Sequence, residues 1–201
     1  MAATSPPPNT YGFRTWPKDL GVAIVFLLAI GIGWLLYQWV ERQTVAFAPQ
    51  GVPFRMDLPA RWAGVDTFQD VLLKAQDPQT DSAYKTTLTV ESRDLDPASP
   101  PTLQTMLDRR VQQVGALPAY QFLAESDATI NGAKAVALDY AFAAQPIDGQ
   151  RRASLPVVVQ AREYIIVGKE HAYYVTLTAP QNEYDRARAR FERAIQTVQA
   201  Q

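Results

Sequence analysis

The chain has 201 residues, no cysteine and a single histidine, His171. Without thiols it forms no disulfide and holds no cysteine-ligated zinc or iron–sulfur cluster. One imidazole alone cannot build the usual structural zinc set or a c-type haem attachment site. A Ser-His-Asp triad would need His171 as its base, yet no Gly-x-Ser-x-Gly nucleophile elbow is present. There is no phosphate-cradling glycine loop either, since Gly31 and Gly33 fall inside an apolar stretch. Charge of one sign is missing as well: 19 Lys and Arg stand against 20 Asp and Glu. A nucleic-acid binder normally carries a basic excess, so that class of partner is disfavoured.

What the chain does have is one long run without a charged side chain, the 21 residues Leu20 to Val40. As a helix this run is about 31 Å long, enough for the hydrocarbon layer of a bilayer. We expect a single membrane-spanning helix over 19–41, preceded by a tail (1–18) and followed by a linker (42–53) and one soluble domain (54–201). Trp16 on one side and Trp34, Tyr37 and Trp39 on the other suit the two headgroup regions. Lys and Arg are nearly balanced across the span, with Arg14 and Lys18 before it and Arg42 and Arg55 after. A short tail ahead of a large domain favours a signal-anchor arrangement, with the domain on the extracytoplasmic side. The rival reading is a cleaved signal peptide, for which Ala46-Phe47-Ala48 has the small-x-small spacing. Against it stand the length of the apolar run and Pro49 immediately after the cut. Within the span, Ala29 and Gly33 are four apart, with Gly31 between them, a small-residue face on which another helix can pack closely.

Beyond the span the pattern has a period of two. Phe54–Leu58, Asp70–Gln76 and Lys85–Ser92 read as strands. Ser99 to Thr102 opens a helix that carries Leu103, Leu107, Arg110, Val111 and Val114 on one face. Asn131-Gly132 is a strong hairpin signal between strands at 121–130 and 133–143. Gly168 to His171 marks a second hairpin, between 155–167 and 172–178. Residues 182–199 read as a closing helix with Tyr184, Ala187, Phe191, Ile195 and Val198 in one stripe. The order β-β-β-α-β-β-β-β-α, joined mostly by hairpins, implies an α+β domain: a largely antiparallel sheet covered by helices.

This order resembles the PsbP family, the extrinsic photosystem II subunit fold and its bacterial relatives. Phe54-Arg55-Met56-Asp57-Leu58-Pro59-Ala60-Arg61-Trp62 is similar to that family's opening strand, which ends in a proline and then a tryptophan. Ala172-Tyr173-Tyr174-Val175-Thr176-Leu177-Thr178-Ala179-Pro180, followed by Tyr184, Phe191 and Ile195, resembles its last strand running into the closing helix. The resemblance covers residues 52–200 and implies an α/β/α sandwich that serves as an interaction or assembly module. The apolar span departs from plant PsbP, and no ion-binding residues carry over.

Bland readings are favoured for the remaining polar features. His171 reads as an exposed turn residue. Asp77 with Asp81, and Asp94 with Asp96, lack the calcium-loop pattern and read as solvated turns. Arg186, Arg188, Arg190 and Arg193 give the last helix a basic face. That face is an ordinary solvated surface or, more sharply, a docking face (Arg186, Arg190, Arg193) for an acidic partner or lipid headgroups. The expectation is therefore a non-catalytic accessory subunit without a cofactor. It would dock on integral and extrinsic subunits of a larger membrane complex and contact membrane lipids, with an electron-transfer complex as the setting. The alternative is a membrane-tethered module holding a small apolar or lipid-like ligand in a cavity lined by residues such as Phe142, Tyr164 and Phe191.

Overall fold

The computed structural model describes residues 17–41, 43–67, 70–146 and 154–200. The chain divides into two compact units between residues 42 and 43. In the first, helix α1 (Pro17–Glu41) opens on a proline whose fixed φ suits the first helical position. The span Leu20–Val40 within it is long and apolar enough to cross a membrane, and none of it is buried.

The second unit contains, among the described residues, two antiparallel sheets. A small one has the order β1 (Thr44–Phe47), β2 (Phe54–Pro59), β10 (Gln199–Ala200). The large one comprises β3 (Ala63–Gly64), β4 (Val71–Gln76), β5 (Thr87–Asp94), β6 (Gln121–Ile130), β7 (Ala133–Ala144), β8 (Val157–Val167) and β9 (His171–Pro180). Its order is β3-β4-β5-β9-β8-β7-β6. Helices α2 (Leu103–Val114) and α3 (Tyr184–Ile195) complete the unit.

The expected antiparallel α+β architecture is present. The 42–53 linker is a correction: Thr44–Phe47 pairs with β2, and Phe47 packs against the core opposite Met56. The closing helix also stops earlier than the 182–199 expected. After Ile195 the Thr197 hydroxyl donates to the Ala194 carbonyl (2.7 Å) and accepts from the Asp57 amide (2.8 Å), which turns the chain into β10.

The β6–β7 turn is the Asn-Gly hairpin read from the sequence, with both residues at positive φ (Asn131 47°, Gly132 84°) as a type I′ turn requires. Asn131 Nδ2 donates to the Val198 carbonyl at 2.6 Å and so ties this hairpin to the C-terminal segment.

The large sheet has two apolar faces. On the first, Leu88, Val90, Tyr173, Val175 and Leu177 meet the α3 stripe of Tyr184, Ala187, Phe191 and Ile195, with Phe54 and Met56 of β2 alongside. On the second, Val136, Leu138, Ile165 and Tyr174 meet Met106, Leu107 and Val114 of α2. The side-chain oxygen of Thr102 caps α2 by accepting the Thr105 amide at 3.1 Å.

Phe191 packs against Tyr164 with ring centroids 5.8 Å apart and planes tilted by 44°, and is 2% exposed. Phe191→Ala should cost about 3–5 kcal/mol of unfolding free energy in denaturant titration. Arg186→Ala, on the exposed side of the same helix, should fall within about 0.5 kcal/mol of the parent. Equal effects from the two changes would contradict this packing.

Candidate functional site

Among the described residues, the second face of the large sheet is only partly covered. Helix α2 lies over β7 and β8, which leaves β4, β5 and β9 beside it. Side chains alternate between faces along each strand, so strand register dictates which residues floor this uncovered area. One row across the strands runs Gln76, Thr87, Thr178, Ala161, Tyr140. The next runs Lys74, Thr89, Thr176, Glu163, Leu138. The result is an open cleft of about 460 Å³ floored by paired threonines, with Tyr84, Lys85, Glu91 and Arg110 in its walls.

Its inner end holds the most unusual group in the domain. Glu163 is 0% exposed, with Ala161 and Ile165 on the same face of its strand. Arg110 reaches down from α2 and places Nε 2.6 Å from Glu163 Oε1 and Nη2 3.2 Å from Glu91 Oε1. The guanidinium also lies over the Tyr174 ring, 5.3 Å from its centroid. One cation thus serves two carboxylates. The Arg110–Glu163 contact is close, but its N–H is aimed off the oxygen, and neither Glu163 oxygen has a well-formed hydrogen bond. The Thr176 hydroxyl, opposite Glu163 on the next strand, favours the charged form of this carboxyl.

Burial pushes the Glu163 carboxyl above the ordinary carboxylate range, and the attraction of Arg110 offsets this only in part. For Arg110, burial opposes the charge, but Glu163 and Glu91 outweigh it and keep the guanidinium protonated. Burial likewise pushes up the phenols of Tyr140 and Tyr84. Tyr84 donates its hydroxyl to Thr178 Oγ1 at 2.8 Å. Chemically, the cleft presents hydroxyls and ammonium groups to a ligand. The shielded Glu163 carboxylate has no open path to attack or deprotonate one.

Other expectations are placed differently. His171 opens β9 rather than lying in an exposed turn. It is half-buried opposite Asp94, with Nδ1 2.9 Å from Asp94 Oδ1. Asp77 is not a solvated turn residue: it is buried, accepts the Gln79 amide at 2.9 Å and pairs with Arg190 Nη1 at 3.1 Å. Arg190 is therefore engaged inside the domain and is removed from the docking face. Arg186 and Arg193 are exposed, Arg186 lying 3.6 Å from Glu183, and Arg188 sits 3.6 Å from Glu192. Asp81 is exposed, and Asp96 caps the Ala98 amide.

Phe142 does not share a cavity with Tyr164 and Phe191. It lies on the opposite face of the sheet, because β7 and β8 put these positions on different sides. The apolar-ligand cavity therefore loses its walls. Ala29, Gly31, Gly33, Trp34, Tyr37 and Trp39 lie on α1, where Trp34, Tyr37 and Trp39 are exposed. Trp16 lies outside the described residues. Among the described residues no group of three or more His, Cys, Asp or Glu is placed to hold a metal ion.

The cleft itself was not anticipated. The signal lay in Thr87-Leu88-Thr89-Val90-Glu91 and Thr176-Leu177-Thr178, where polar residues alternate with core residues. Such alternation reads as an ordinary solvent face until register sets the two strands side by side.

No family model matches this chain, and no curated protein matches it. Solved structures do. Cyanobacterial PsbP (CyanoP) from Synechocystis sp. PCC 6803 has a TM-score of 0.55 at 11% identity, covering 79% of this chain and 92% of that one. PA94 from Pseudomonas aeruginosa, a protein of unknown function, has a TM-score of 0.53 at 15% identity over 79% and 98% of the two chains. LpqN of Mycobacterium tuberculosis, involved in cell envelope biogenesis, has a TM-score of 0.50 at 14% identity over 78% and 89%. These likenesses show the fold, a helix-covered antiparallel α+β domain of PsbP-like type.

Two measurements probe the buried ion cluster. Arg110→Met strands the Glu163 charge and should cost about 3–5 kcal/mol, whereas Arg110→Met combined with Glu163→Met should recover most of that loss. A carboxyl whose value is raised in the folded state favours the fold at low pH, and that contribution is lost as pH rises through the folded value. Wild type should therefore lose stability relative to Glu163→Gln as pH rises from the ordinary value of 4.5 toward neutrality. A difference that stays flat across that range would contradict the burial argument.

Proposed function

We propose that the chain is a membrane-tethered accessory protein whose PsbP-like domain acts by binding and docks on a larger membrane assembly. The observation that carries this reading is α1. Its Leu20–Val40 span is long and apolar enough to cross a membrane. A lone unburied apolar helix finds its burial in lipid, against other spans, or in being cleaved away. Pro49 immediately after the small-x-small site Ala46-Phe47-Ala48 disfavours cleavage there. Ala29 and Gly33 supply the thin face for packing on another span.

Binding rather than bond chemistry is supported by the state of the reactive groups. The histidine is engaged with Asp94, and Glu163 is sealed beneath Arg110. In this reading the domain lies on the extracytoplasmic side, α3 presents Arg186 and Arg193 to an acidic partner or to headgroups, and the partner complex is an electron-transfer assembly. That setting comes from analogy with the PsbP-like fold.

Intact mass of the chain recovered from carbonate-washed membranes should include residues 1–48, and added protease should remove the domain from spheroplasts. A mature chain beginning at Pro49 would overturn the anchor. Mild-detergent purification of the tagged chain should bring down a stoichiometric set of redox subunits, weakened by Gly33→Leu or by Arg186→Glu with Arg193→Glu. Recovery of the chain alone would overturn docking. Arg190→Glu is unsuitable for this purpose, because it breaks the buried pair with Asp77.

A further inference from the structure

We propose that the threonine-floored cleft over β4, β5 and β9 is a binding site for a small organic anion bearing carboxylate groups, held by Lys74 and Lys85 at the rim and by the Thr89 hydroxyl on the floor. This goes beyond the docking role and stands independently of it.

The argument begins with what the fold leaves open. Two adjacent strands each present a pair of threonines on the same face, Thr87 opposite Thr178 and Thr89 opposite Thr176. Leu88 and Val90 of β5 and Val175 and Leu177 of β9 lie on the other face, under α3. A sheet face left to solvent does not need to be concave. This one is walled by α2 on one side and by Tyr84 and Lys85 on another, and it encloses about 460 Å³. That volume falls in the range of small-molecule sites, about 300–1,000 Å³, and exceeds what a single inorganic ion requires.

Hydroxyl placement provides a second observation. The Thr87 hydroxyl donates to the Lys85 carbonyl at 2.9 Å, Thr178 Oγ1 accepts from Tyr84, and Thr176 faces the Glu163 carboxylate. Thr89, paired with Lys74 and Thr176 across the strands, lines the cleft, where its hydroxyl can donate to a ligand oxygen.

Charge selects the class of ligand. Lys74, Lys85 and Arg110 line the cleft with Glu91, and Glu163 lies beneath it. Arg110 is committed to the two carboxylates. Lys85 uses Nζ to hold the Thr80 carbonyl at 2.6 Å and keeps further N–H donors. Two ammonium groups therefore face the cleft, with the Thr89 hydroxyl beside Lys74. This donor-rich lining fits carboxylate oxygens. A neutral sugar would draw more on a free aromatic face, and the Tyr84 hydroxyl and ring are engaged with Thr178 and Phe142.

The test uses the full chain in detergent, with citrate and succinate as probes, glucose as a neutral polyol, and sodium chloride matched for ionic strength. Citrate or succinate should raise the thermal midpoint by several degrees over the matched salt. The same titration should move the methyl resonances of Thr89 and Thr176 and leave those of Thr102 and Thr105 in place. Lys74→Gln and Thr89→Val should each weaken the apparent affinity about tenfold, while Lys134→Gln, at an exposed position of β7 outside the cleft, should leave it unchanged. No shift with either acid, an equal shift with sodium chloride, a shift with glucose alone, or full binding by Lys74→Gln would each overturn the proposal.

Discussion

A sheet seven strands wide offers more face than two short helices can cover. Six inter-strand gaps make it about 29 Å across, whereas a twelve-residue helix is about 18 Å long and about 10 Å wide. Both helices here have twelve residues. On the first face the shortfall is met by the small sheet, whose β2 brings Phe54 and Met56 over the core beside α3. Among the described residues the second face has no such supplement. Helix α2 covers the β7–β8 end, and the rest is left to polar side chains. Cleft, threonine floor and buried ion cluster all follow from that difference between the two faces.

The ion cluster sits at the boundary between covered and uncovered sheet. A buried Glu–Arg pair is seldom the most stable filling for such a site, since well-packed apolar residues of similar size often do as well or better. What the pair adds is position. Arg110 meets Glu163 on β8, Glu91 on β5 and the Tyr174 ring on β9, so one side chain references α2 to three strands. A sliding α2 would separate a desolvated carboxylate from the cation that pairs with it. We regard this as the reason an otherwise costly group is compatible with the fold: it fixes how far α2 reaches across the sheet, and so where the cleft begins.

Much of the architecture was legible in the sequence, and the residues that made it so are identifiable. Asn131-Gly132 declared its hairpin because few residue pairs tolerate two positive φ angles. The α3 stripe declared its buried face because Tyr184, Ala187, Phe191 and Ile195 recur at helical spacing. Strands β3 and β10, of two residues each, were not legible, because a period of two needs more positions to register. Strand β1 was hidden among Pro49, Gly51 and Pro53, which read as linker. The cleft was hidden for a different reason. Arg162-Glu163 looks like an ordinary charged pair on a strand, with one residue facing in and one facing out. Both faces of this sheet are covered at that point, so each charge found its own buried or half-buried partners, Asp139 and Glu192 for Arg162 and Arg110 for Glu163. Asp77 and His171 were misplaced likewise, since their partners Arg190 and Asp94 lie 113 and 77 residues away in the chain.

The same parity that hid the cleft separates its chemistry from the stability of the domain. Along β5, Leu88 and Val90 face the α3 core while Thr87, Thr89 and Glu91 face the cleft; along β9, Val175 and Leu177 alternate with Thr176 and Thr178. Neither set can be moved without the other, because a one-residue slip would turn threonines into the core and leucines into the cleft. The penalty for that exchange is large, so the core itself holds the threonine rows in register. Individual cleft residues, by contrast, touch little that the core depends on. Ligand preference on this face is therefore free to vary by substitution at Lys74, Thr89 or Lys85 while β5 and β9 keep their pairing. This division of labour, with one face of a strand fixing the fold and the other left open to chemistry, lets a helix-covered sheet carry a binding site without a dedicated loop or domain.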